Sequence, residues 1–218
     1  MNVITIERKI LEKNDEVALQ NRTFLEKLGV VAINLLSSPG SGKTSLLECV
    51  LERLQGRVAV AVIEGDVHTD LDSQRVARYG VPVVQIVTHG GCHLEAKLVQ
   101  DALARLPLER TQALFIENVG NLVCPANYDL GEAMKVVVIS TTEGEDKPLK
   151  YPAAFRNAHA LIINKTDLLP YLSLRVEDLK RNARQVNPAL VMFETSCVTG
   201  TGIAECCEWL LGRTSVTP

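Results

Sequence analysis

Short apolar runs rich in β-branched residues recur along the chain, and between them apolar positions return every three to four residues. The runs at 30–36, 57–63, 82–87, 111–117, 135–140, 159–164 and 189–194 predict strands. The intervening spacing predicts helices near 44–54, 70–79, 93–105, 149–157, 173–186 and 201–212. Ahead of them, residues 4–28 read as one further helix, with Ile6, Ile10, Val17, Phe24, Leu25 and Leu28 facing inward and Gly29 as its stop. Val58-Ala59-Val60-Ala61-Val62-Ile63 and Val136-Val137-Val138-Ile139 are apolar throughout, as strands are when helices cover both faces of a sheet. Strands alternating with helices through right-handed crossovers predict an α/β fold, a doubly wound and mostly parallel sheet. Its ligands bind outside the carboxyl ends of the strands. A helical segment over 1–29 then precedes a main domain over 30–218, and no repeat, low-complexity tract or linker divides the rest.

The first strand runs into Ser37-Ser38-Pro39-Gly40-Ser41-Gly42-Lys43-Thr44, and a helical stretch beginning at Ser45 follows. Strand, tight glycine loop, Gly-Lys-Thr and helix together wrap a polyphosphate. Backbone N–H groups and the helix N-terminus face the anion, the lysine reaches the β/γ oxygens, and the Thr44 hydroxyl ligates magnesium. Ser37 stands where the usual phosphate-loop NTPase pattern has its first glycine.

Asn164-Lys165-Thr166-Asp167 follows another apolar strand, in the pattern by which GTP-binding proteins select guanine. The Asp167 carboxylate accepts from the two adjacent N–H groups of the base, and the Lys165 stem covers the ring. Adenine offers no such donor pair, so a carboxylate in a partly dry site would be left unmatched. Thr195-Ser196-Cys197, at the last strand's end, loosely matches a base-supporting loop, which adds Ser196 and Cys197 to the nucleotide contacts. Acidic strand ends supply the rest. Glu64, Asp66 and Asp72 lie after the second strand, and Glu117 with Gly120 forms a Glu-x-x-Gly. Asp66 and Glu117 are candidate magnesium ligands beside Thr44, and Gly120 N–H a candidate γ-phosphate sensor. Lys43, Asp66, Asp72 and Glu117 are the candidate catalytic residues. Each acidic residue also has a plainer reading as a helix cap. No glutamine stands where one would orient the hydrolytic water, so slow turnover is expected.

The chain has 218 residues and a formal net charge of −3. It has no overall basic field for nucleic acid and no apolar run of about 20 residues for a bilayer. Cysteines at 49, 92, 124, 197, 206 and 207 form no framework, and a cytoplasmic protein with reduced thiols is expected. Cys92-His93 and Cys124-Pro125 both follow strands and can meet on the nucleotide side. Two thiolates and an imidazole suit Zn²⁺ or Ni²⁺ and leave a coordination position open, or half of a shared site. His68 and His89 are weaker candidates, and His159 suits a packing role at a strand start. Cys49, Cys206 and Cys207 fall in helical patterns.

Together these segments resemble the HypB family, the GTPases that assist nickel insertion into [NiFe] hydrogenases. The resemblance spans nearly the whole chain and includes Glu143-Gly144-Glu145-Asp146-Lys147-Pro148-Leu149-Lys150-Tyr151-Pro152. It implies a SIMIBI-type G domain over 30–218, and it accounts for Ser37, which the family pattern also carries. It implies that Cys92, His93 and Cys124 form a metal site shared across a nucleotide-dependent homodimer. It implies that Lys150 reaches the guanine of the partner subunit, and that a nickel chaperone and the hydrogenase large subunit are partners. Many members also carry an N-terminal Cys-x-x-Cys or His-rich tract, whereas this chain has no Cys before Cys49 and no His before His68. The other readings are a related GTPase serving urease or a cobalamin enzyme, a small-molecule kinase, and a zinc-stabilised binding module. Urease chaperones show Cys-Pro-His, whereas here Ala126 follows Cys124-Pro125.

Overall fold

The computed structural model describes residues 6–68 and 71–212. The elements in chain order are α1 (Ile6–Leu28), β1 (Val31–Ser37), α2 (Lys43–Leu54), β2 (Val60–Asp66), α3 (Leu71–Ala77), β3 (Val83–Val87), α4 (Ala96–Leu103) and β4 (Ala113–Glu117). Then follow β5 (Met134–Ser140), α5 (Lys147–Lys150), α6 (Pro152–Arg156), β6 (Ala160–Asn164), α7 (Val176–Val186), β7 (Val191–Glu194) and α8 (Ile203–Leu211). All strands pair parallel in the order β3-β2-β4-β1-β5-β6-β7, so the doubly wound reading holds. The chain reverses direction across the sheet at β1, whose carboxyl end releases the phosphate loop.

Side chains that alternate along each strand feed separate cores on the two faces. Ile33, Leu35, Val62, Phe115 and Val136 pack with α2 and α8, whereas Ala32, Ile63, Leu114 and Ile116 pack with α1 and α4. A further cluster joins Leu36, Val137 and Ile163 to Phe155 and Leu179. The alternation continues past the apolar residues. Glu64 and Glu117, directly opposite each other in register, therefore fall on the α2 face, and Asn118 falls on the α4 face.

Two sequence expectations change. Along α1 the buried positions are Asn14, Ala18, Asn21 and Leu25, while Phe24 is 46% exposed and Val17 and Leu28 are half-buried. The asparagines are inward because they bond to backbone. Asn14 accepts from Ala96 N at 2.8 Å, and Asn21 donates to Ala96 O and Leu130 O at 2.9 and 3.0 Å. The expected inward side chains Ile6 and Ile10 lie outside the described residues. The helix expected over 149–157 is two short pieces, because Pro152 cannot continue the turn through Tyr151, which takes φ −123 and ψ 52. Among the described residues, no helix is long and apolar enough to cross a membrane.

Candidate nucleotide and metal site

The loop between β1 and α2 encloses a cleft of roughly 560 Å³ whose walls include Ser37–Ser45, Asp66, Asp72, Arg75, Glu117, Gly120 and Lys165. That volume falls within the range of small-molecule and cofactor sites. Gly42 takes φ +88, and a side chain there would meet Asn164 Nδ2 at 2.6 Å, so the glycine is needed for both conformation and space. Ser41 Oγ donates to Ser38 O at 2.9 Å and holds the loop's curve.

Glu117 reaches across this cleft. Its Oε1 accepts from Lys43 Nζ at 2.6 Å and from Thr44 Oγ1 at 2.7 Å, while its Oε2 is buried with no hydrogen-bond partner. Burial pushes the Glu117 carboxyl up, but the Lys43 charge, the neighbouring Glu64 carboxyl as a hydrogen-bond donor, and the hydrogen bonds from Lys43 and Thr44 outweigh it and hold it below the usual range. Glu64 lies beside it, 1% exposed. Burial and then the Glu117 charge push Glu64 up to about 10. One lysine thus faces two buried carboxyls, and the second keeps its proton. An ionised, half-satisfied carboxylate next to a threonine hydroxyl fits a divalent cation with oxygen ligands.

The raised Glu64 has a measurable consequence. Its folded pKa exceeds the unfolded value, so the folded chain holds a proton that the unfolded chain releases above about pH 4.5. Stability therefore falls as pH rises between those limits, by at most about 1.4 kcal/mol per pH unit. Glu64→Gln is expected to melt above wild type at pH 8 and to lose that lead near pH 5. Thermal melts at both pH values check this, and parallel pH profiles would rule out a protonated Glu64.

Asp66 lines the cleft and accepts from His68 N at 2.9 Å through Oδ1. Asp72 is drawn to Arg75 Nη1 at 3.1 Å, and Arg75 also forks onto both oxygens of Glu48 and donates to Ser45 Oγ at 3.1 Å. Sequence reading passed over Arg75, since an arginine inside a helical pattern carries no local signal.

The segment Asn164–Asp167 is clipped to the phosphate loop. Asn164 Nδ2 donates to Ser41 O at 3.1 Å, and Lys165 Nζ donates to Gly40 O at 2.7 Å from a left-handed backbone (φ +63). Ser196 Oγ donates to Asp167 Oδ1 at 2.6 Å while accepting from Val198 N and Thr199 N. The Cys197 thiol lies on Asn164 Oδ1 at 3.5 Å, and burial pushes it up to about 12, which keeps it a thiol rather than a thiolate. Lys150 stands apart from this cleft, 62% exposed and paired with Asp146. Lys147 reaches the loop instead, with Nζ 3.3 Å from Ser38 Oγ.

Beyond Glu117 the chain loops past Gly120, which lies against Pro39, to Cys124. Cys92, His93 and Cys124 come together there with their ligand atoms within 4.8 Å of one another, the only such group of three among the described residues. His68 and His89 are not part of it. His159 accepts from Lys135 N at 3.1 Å at the start of β6, the packing role expected of it. The neighbouring Cys124 thiol and then burial push Cys92 up, and burial pushes His93 down. The His93 ring lies 4.0 Å from the Tyr128 ring, tilted by 44°, and its Nε2 is buried with no hydrogen-bond partner. Two free thiols and a neutral imidazole with an unpaired nitrogen fit a soft or borderline metal.

Comparison with known proteins agrees with this geometry. Residues 31–194 match the family model described as CobW/HypB/UreG, nucleotide-binding domain. The hydrogenase maturation factor HypB of Azotobacter vinelandii is 53% identical over 208 residues, covering 95% of this chain and 69% of the relative. The crystal structure of HypB from Archaeoglobus fulgidus superposes with a TM-score of 0.87 at 39% identity, covering 93% of this chain and 98% of that one. HypB from Helicobacter pylori, solved in complex with nickel, gives 0.88 at 37%, covering 94% and 99%. With the phosphate loop on β1, a Cys/His cluster at the same strand ends and this extent of identity, the chain belongs to the HypB hydrogenase maturation factors of the CobW/HypB/UreG nucleotide-binding family.

Proposed function

We propose that the chain is a GTPase switch that carries nickel for hydrogenase maturation, holding the ion at Cys92, His93 and Cys124. The observation that carries this reading is the loop 117–124. Its first residue holds Lys43 and Thr44 in the phosphate cleft, and its last supplies a thiol to the Cys/His cluster.

Guanine is selected by Asp167, oriented by Ser196, with Lys165 along the ring and Asn164 tying the base segment to the loop. Pro39–Ser45 wrap the phosphates. On nucleotide entry Lys43 and Thr44 exchange the Glu117 carboxylate for phosphate and cation. Thr44, Asp66 and Glu117 would hold magnesium, which neutralises the β/γ oxygens when bound. Asp66 and Asp72, which line the cleft, would contact the attacking water, and Gly120, packed against Pro39, would sense the γ-phosphate through its N–H. Freed from Lys43, the Glu117 end of the loop shifts, and the Cys124 end shifts with it.

A second copy of the chain brings its own Cys92, His93 and Cys124, so that a symmetric dimer encloses one ion. The exposed Lys150 is then available to the guanine of the facing copy. A nickel chaperone and the hydrogenase large subunit are the exchanging partners. Loading nickel and measuring molar mass and metal content side by side tests this. The GTP-analogue state is expected to be a dimer with one ion per two chains, and Cys124→Ser is expected to dimerise without retaining it. Equal mass and equal metal in GDP and GTP-analogue states would overturn the switch.

A further inference from the structure

Two buried asparagines, Asn34 and Asn118, and a half-buried one, Asn121, lie between the two sites. Asn118, fully buried, immediately follows Glu117 but points to the opposite face of the sheet. Its Oδ1 accepts from Leu94 N at 3.1 Å and from Val119 N at 3.0 Å, and its Nδ2 donates to Asn34 Oδ1 at 3.3 Å. Leu94 directly follows His93, and Val119 directly precedes Gly120. One side-chain oxygen therefore joins the metal-bearing loop to the phosphate-facing loop. Asn34, on the strand that carries the phosphate loop, is itself fixed by donating to the buried Glu132 at 3.2 Å. Leu94 is fixed too, because its side chain fills the space over Gly65, where an added Cβ would meet it at 2.8 Å.

Asn121 makes a second tie. Its backbone bridges antiparallel to Ser37, the first residue of the phosphate loop, while its Nδ2 donates to Cys92 O at 3.4 Å. Backbone groups adjoining two metal-site residues are thus bonded to side chains of a loop that also touches Lys43, Thr44, Ser37 and Pro39. Without these ties, motion of the 117–124 loop would move Cys124 alone and leave Cys92 and His93 behind.

We infer that Asn118 and Asn121 are positioning residues that move Cys92 and His93 together with Cys124 when the nucleotide state changes. The inference rests on the switch proposed above and adds which bonds transmit it. They carry the difference in metal affinity between states, not the affinity of either state. Coupling between sites in proteins typically spans about 5–150-fold in affinity.

The test titrates Ni²⁺, followed by thiolate-to-nickel absorbance, into wild type, Asn121→Ala and Asn118→Ser, each with GDP and with a non-hydrolysable GTP analogue. Asn121→Ala keeps the backbone bridge to Ser37 and removes the side-chain bonds to Cys92 O and from Val123 N, so it remains informative even where Asn118→Ser unfolds. Both variants are expected to bind the nucleotides as wild type does. In each, the analogue-to-GDP ratio of nickel affinities is expected to fall at least threefold toward one. A wild-type ratio above one that persists in Asn121→Ala overturns this inference and leaves the switch intact. A wild-type ratio of one overturns the switch and this inference together.

Discussion

Lys43→Met is expected to reduce kcat/KM for GTP by about a thousandfold or more, the scale on which removing a preorganised charge donor from a phosphoryl or oxyanion site acts. The Lys43 side chain is 9% exposed and its Nζ lies 2.6 Å from Glu117 Oε1. Lys43 follows Gly42 directly in the phosphate loop, whereas Arg75 is drawn to Glu48 and Asp72, Lys147 to Ser38 and Lys165 to Gly40. The substitution also affects the unliganded fold. It leaves Glu117 buried without its counter-charge and beside Glu64, a loss of about 3–5 kcal/mol if the carboxylate stays ionised. Protonation of Glu117 relieves that cost, so the variant is expected to melt well below wild type at pH 8 and to approach it near pH 5. Turnover measured across GTP concentrations from well below KM to saturation, with melting curves at both pH values, separates the two effects. Near-normal turnover in a folded variant would contradict the assignment of Lys43 to the phosphates.

Much of this site was legible in the sequence because its chemistry is written in contiguous segments. Ser37–Thr44 and Asn164–Asp167 each specify a turn, a set of donors and a place at a strand end. Strand parity then carries Glu64 and Glu117 onto the α2 face beside Lys43. The tie between the sites was not legible. Asn34, Asn118, Asn121 and Glu132 are distant in sequence, and each is an ordinary polar residue until register places it. Asn118 also adjoins Glu117 in sequence, yet strand parity turns the two side chains to opposite faces of the sheet. The inward face of α1 was misread for a related reason. Apolar periodicity pointed to Phe24, whereas Asn14 and Asn21 are buried by bonds to the backbone of Ala96, Asp129 and Leu130. A hydrophobic pattern cannot register a polar residue whose partners are main-chain groups. The split of α5 from α6 was available at Pro152, where helical spacing was allowed to outweigh the proline.

Asp167→Asn is expected to reverse base preference while sparing the rest of the site. The Asp167 carboxylate is fixed by Ser196 Oγ at 2.6 Å, and Ser196 is itself buried and held by two backbone donors. Two fixed acceptor oxygens match the adjacent N1–H and N2–H₂ donors of guanine. Asparagine has the same shape and retains one acceptor, but it presents an NH₂ group where the base also presents a donor. A polar mismatch of this kind in a site built for hydrogen bonding lowers affinity by about 10²–10⁴-fold. Xanthine carries a carbonyl where guanine carries its amino group, so the variant's NH₂ regains a partner. Displacement of a fluorescent guanine nucleotide by GTP and by XTP gives both affinities. GTP is expected to weaken by at least a hundredfold and XTP to become the better competitor, with Lys43 and the phosphate loop still engaging either nucleotide. If GTP keeps its lead over XTP in Asp167→Asn, guanine is read elsewhere than at Asn164–Asp167.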